Sequence, residues 1–154
     1  MKMRATSKKG GSGARFQASP AGTAAEHAHA AQAARAAIRS DPALPENYAA
    51  LAGALRMLSQ SAREQGAQGA DHLLHLACAA AWEAKRRTGP GLISGRTKHE
   101  VKILIAWLRT RNHLGPEASE SLMDRIHSEY LGRALDNTDL LHNAGVDDQP
   151  TVGS

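Results

Sequence analysis

The sequence predicts an all-α fold: a single-domain bundle of about five helices, with a disordered basic N-terminal arm and an acidic C-terminal tail. Three observations carry that expectation. Apolar residues recur at three- and four-residue steps in helix-length segments, and Gly- and Pro-containing breaks separate those segments. Much of the apolar content is alanine, which favours helix and buries little area. The only aromatics are Phe16, Tyr48, Trp82, Trp107 and Tyr130, fewer than a sheet protein of this length usually carries.

The elements follow in order. Residues 1–22 are basic, contain Lys8-Lys9-Gly10-Gly11-Ser12-Gly13, and offer little apolar surface, so they read as a disordered arm. The helical domain is expected over 23–142. Thr23 and Glu26 have capping-box spacing and open an alanine-rich helix to about Ser40, whose one large apolar residue is Ile38. It either docks on the core or pairs with another subunit. Pro42 and Pro45 break the chain, and Pro45 suits a first helical position. In the second helix, to Glu64, Tyr48, Leu51, Leu55, Leu58 and Ala62 make one stripe, with Arg56 and Arg63 opposite.

The third helix spans about Asp71 to Arg87, with Leu73, Leu76, Ala77, Ala80 and Ala84 inward. Lys85, Arg86 and Arg87 fill its last turn, where cations complement the helix dipole. The fourth, Thr97 to His113, looks like the organising element. Thr97 and Glu100 have capping-box spacing, Val101, Leu104, Ile105 and Leu108 form a core face, and Ile103 and Trp107 widen it, so cover on most sides is expected. Lys98, Lys102, Arg109 and His113 share the remaining strip, within about 60° of one another. The fifth helix, Glu117 to Leu135, turns Leu122, Met123, Ile126, Tyr130 and Ala134 inward. Asp139–His142 suggests one more turn, and residues 143–154 read as a flexible acidic tail.

Charge is distributed unevenly. Residues 1–25 and 26–115 each carry +5, whereas 116–154 carry −6, an asymmetry that suggests a polyanionic partner. Between Lys85 and Arg111, eight basic residues face Glu100 alone. Arg86, Arg87, Arg96, Lys98, Lys102 and Arg109 are therefore the candidate contacts to nucleic-acid phosphates, DNA or RNA. The alternative for the same residues is a solvated face. No aromatic interleaving suggests stacking on single strands.

Other chemistry is thinly supported. His72, His75 and Glu83 share one helix face and are weak metal candidates; ligands from a second helix would be needed, with His99, Glu100 and His127 as candidates, and no metal or other cofactor is expected. Gly91–Thr97 lacks the spacing and the lysine of a Walker A loop. The lone Cys78 cannot form an internal disulfide and reads as a small hydrophobe. No stretch is apolar enough for a membrane span, and no apolar segment follows the basic N-terminus as in a secretory leader, so a cytoplasmic protein is expected.

HEPN-type bundles have a loosely similar helical layout, and some are ribonucleases built on an arginine and a histidine. Here Arg109-Thr-Arg-Asn-His113 is spaced more tightly than that pattern, so no catalytic residue is assigned. The sequence thus favours a small non-enzymatic protein that binds nucleic-acid phosphates. A protein-binding adaptor or regulator, including one that self-associates, is the alternative, and a helical-bundle enzyme such as a HEPN-like ribonuclease comes last.

Overall fold

A computed structural model describes residues 23–89 and 91–136; the arm 1–22, the turn at Asp139–His142 and the tail 143–154 lie outside the described residues. Those described form five helices and no strand: α1 Ala24–Ser40, α2 Pro45–Glu64, α3 Ala70–Thr88, α4 Gly95–Asn112 and α5 Pro116–Leu135. None is long and apolar enough to cross a membrane.

Local chemistry sets the boundaries. Thr23 and Glu26 close a reciprocal capping box on α1. Pro45 and Pro116 stand at the first positions of α2 and α5, where the missing N–H costs nothing. Gly69 and Gly89, both at positive φ, flank α3. The start of α4 corrects the expectation. The cap is Ser94, whose hydroxyl accepts the Thr97 N–H at 3.1 Å; Thr97 lies inside the first turn and is buried. Two polar residues competed for the cap, and Glu100 is engaged elsewhere. Ser94→Ala is expected to cost about 1 kcal/mol in urea denaturation. Unchanged stability would return the cap to Thr97.

The hub is α3, not α4. Every residue from Leu76 to Ala84 is buried, and α3 packs against α2, α4 and α5. Small side chains at Ala77, Cys78, Ala79, Ala80, Ala81 and Ala84 bring those neighbours close. The large apolar residues of α4 cover one face only: Val101, Leu104 and Leu108 are buried, whereas Ile103, Ile105 and Trp107 are partly so. The α2 stripe is wholly buried as expected, each leucine there worth about 1.5–3 kcal/mol of burial.

The alanine helix does dock. Ala24, Ala28, Ala31, Ala34 and Ile38 face the core along α2, and Asn47 Nδ2 donates to Ala37 O at 3.2 Å. Arg35, almost fully buried, donates from Nε to Ala134 O at 2.9 Å, tying α1 to the end of α5. Burial lowers its pKa to about 10, against the opposing pull of Asp136. Arg56 does not face away as the stripe suggested. It turns to α4 and grips buried Glu100, with Nε to Oε1 at 2.7 Å and Nη2 to Oε2 at 3.1 Å. Gly53 makes room there: a Cβ at that position would lie 3.0 Å from Glu100 Oε2.

Candidate nucleic-acid interface

The six expected phosphate contacts occupy four settings. Lys98, Lys102 and Arg109 project from the open side of α4. Arg96, in the first turn of α4, lines a cavity of about 330 Å³ against α1 and α2, with His27, Arg56 and Glu100. The Nε2 of His27 is buried there without a hydrogen-bond partner. Arg86 stands at the end of α3 on the side facing α5. Arg87 turns the other way, its guanidinium 4.8 Å from the Tyr48 ring centroid and its Nε donating to Glu83.

Ion pairing separates five of these cations from Arg56, Arg63, Arg87 and Arg111, while Arg39, Lys85, Arg125 and Arg133 are likewise exposed without an ion pair among the described residues. Arg86, Arg96, Lys98, Lys102 and Arg109 are exposed and make no ion pair among the described residues. By contrast, Arg56 is held by Glu100, Arg87 by Glu83, and both Arg63 and Arg111 by Asp71. The acidic residues of α5 do not neutralise the α4 strip.

Between the end of α3 and α5 runs a groove that charge composition alone did not reveal. Two cavities of about 430 and 550 Å³ share Arg86 and Asp124 as lining residues. One end holds Lys85 and Arg86, with the Lys85 ammonium 4.5 Å from the Trp82 ring centroid. The Trp82 indole N–H donates to Asp124 Oδ1 at 2.7 Å and fixes that carboxylate at the join. The other end is lined by His127 and Ser128.

Behind His127 lies Glu83, 8% exposed, which accepts from His127 Nε2 at 2.7 Å with one oxygen and from Arg87 with the other. Burial pushes the Glu83 carboxyl up, but the hydrogen bonds from His127 and Arg87 outweigh it and hold the group below its ordinary value. A carboxylate only accepts, so His127 carries its proton on Nε2. Nδ1 is left without a protein partner and is not sealed in the interior.

The weak metal trio does not assemble. His75 Nδ1 lies 2.8 Å from Asp71 O, and its ring contacts Trp107 and Tyr130, while Glu83 is committed to His127 and Arg87. Among the described residues no three His, Cys, Asp or Glu side chains gather as metal ligands. Glu83 and His127 stand 44 positions apart, so no local spacing could pair them. No protein-family model, no curated protein and no solved structure matches this chain.

Proposed function

We propose that this domain binds the phosphate backbone of nucleic acid through Arg86, Arg96, Lys98, Lys102 and Arg109, in the cytoplasm and without chemistry of its own. The observation that supports this reading is their availability: within the basic stretch 85–111 they are exposed and unpaired, while Arg87 and Arg111 are tied to carboxylates. Unpaired surface cations are held at a cost in self-repulsion, and a polyanion relieves it. Arg87 contributes less than the sequence suggested, because Glu83 already holds it.

The test is a fluorescence titration of labelled oligonucleotides against salt. Each phosphate neutralised releases condensed counterions, so five contacts predict a slope of roughly −3.5 to −4.5 in log affinity against log salt. Reversing Lys98 and Lys102 to glutamate is expected to weaken binding at least tenfold, and to reduce the slope by about 1.5 to 2. Absent binding at low salt, or binding indifferent to salt, overturns the reading and leaves the protein-binding alternative.

A further inference from the structure

The groove beside α5 differs in kind from the cationic strip on α4. Lys85 sits at one end over the Trp82 ring, and Arg86 lies beside Asp124 at the shared boundary of the two cavities. Its other polar groups are able to accept. Asp124 uses Oδ1 for the Trp82 indole and keeps Oδ2 for a ligand. In the neutral ring, His127 Nδ1 is also an acceptor, because Glu83 holds the proton on Nε2. Ser128, on the same wall, can donate or accept.

A groove with this order asks for a ligand that is anionic at one end and donates hydrogen bonds at the other. A deoxyribose backbone meets only the first demand, since its phosphates and ether oxygens only accept. A ribose meets both, because the 2′-hydroxyl supplies a donor next to the phosphate. Carboxylates recognise ribose hydroxyls elsewhere for the same reason. The volumes suit a nucleotide-sized group. The Asp124 carboxylate also repels a second phosphate, which limits the groove to one.

We propose that this groove receives one ribonucleotide unit, its phosphate on Lys85 and Arg86 and its 2′-hydroxyl on Asp124 and His127, so that the protein prefers RNA to DNA. The proposal rests on the nucleic-acid reading above and names its ligand. Glu83 acts through His127 as a positioning residue, fixing which nitrogen is free.

The experiment compares three probes of one base sequence on the full-length chain: RNA, DNA and 2′-O-methyl RNA. The methylated strand keeps the ribose shape and removes the donor. RNA is expected to bind about tenfold more tightly than either of the others, as befits a ligand hydrogen bond worth about 1.4 kcal/mol. Asp124→Asn keeps an oxygen for Trp82 and replaces the free acceptor with a donor, so the preference should fall toward unity while DNA affinity holds or rises. Equal binding of RNA and DNA, each still salt-dependent, overturns the ribose site and leaves backbone binding intact. Equal binding of RNA and its methylated form overturns it too, since shape would then be what is read. Failure of all three probes to bind overturns both proposals.

Discussion

Replacing Glu100 by alanine is expected to destabilise the domain by about 3 kcal/mol. The carboxylate is 5% exposed and takes two hydrogen bonds from one guanidinium, across the contact between α2 and α4. Those bonds raise the pKa of Arg56 despite its partial burial. Deleting the carboxylate leaves that cation without its ion-pair partner, beside a cavity that also holds the Arg96 side chain. Part of the guanidinium still reaches water, which keeps the cost below that of a fully buried orphan. Urea denaturation of Glu100→Ala, Arg56→Met and the double variant Arg56→Met with Glu100→Met measures it. The double variant should lose less than Glu100→Ala alone, because desolvation of two charges disappears with them. A loss under about 0.5 kcal/mol for Glu100→Ala would mean that water already enters the α2–α4 contact.

Glu83→Ala is expected to cost about 2–3 kcal/mol at neutral pH, and this cost should vanish in acid. Glu83 anchors His127 from α5 and Arg87 from its own helix; its loss strands the largely buried His127 donor, whereas exposed Arg87 turns to water. The pH dependence follows from the direction of its shift. Burial opposes the charged form, the two hydrogen bonds favour it more strongly, and the folded carboxyl titrates below its unfolded value. A depressed carboxylate contributes stability above the unfolded value, about 4.3, and loses that contribution as pH falls through the folded one. Denaturation midpoints of wild type and Glu83→Ala should therefore converge below about pH 4. A gap that persists unchanged to acid would show that Glu83 acts by shape rather than by charge.

Much of the fold could be read from local chemistry. Thr23 with Glu26, Pro45 and Pro116 each mark a helix start through a physical rule that needs no tertiary context. The α2 stripe was legible because leucines recurring at helical spacing have few destinations other than a core. The hub was not. Alanines populate solvent and interior alike, so α3 carried no signal of complete burial, and the crowd of large residues on α4 looked more central. The start of α4 failed for a related reason. Thr97 and Glu100 satisfied a local rule, but a bond to Arg56, 44 residues away, claimed the glutamate.

The candidate site divides the same way. That positive charge concentrates between Lys85 and Arg111 is a count and needed no coordinates. Which cations stay available depends on where the acids lie in space: Asp71 takes Arg63 and Arg111, and Glu83 takes Arg87. His72 and His75 drew attention by spacing along one helix, whereas His127 is bonded to a residue on another.

The tight packing of α3 has a practical consequence for chemistry on this protein. Its single thiol, Cys78, is fully enclosed among alanines, and burial pushes its pKa up to about 12. Thiolate is the reactive form, so alkylating dyes and oxidants have almost nothing to attack in the folded state. A cysteine introduced on the open side of α4 would then take a fluorophore selectively, with the native thiol left in place.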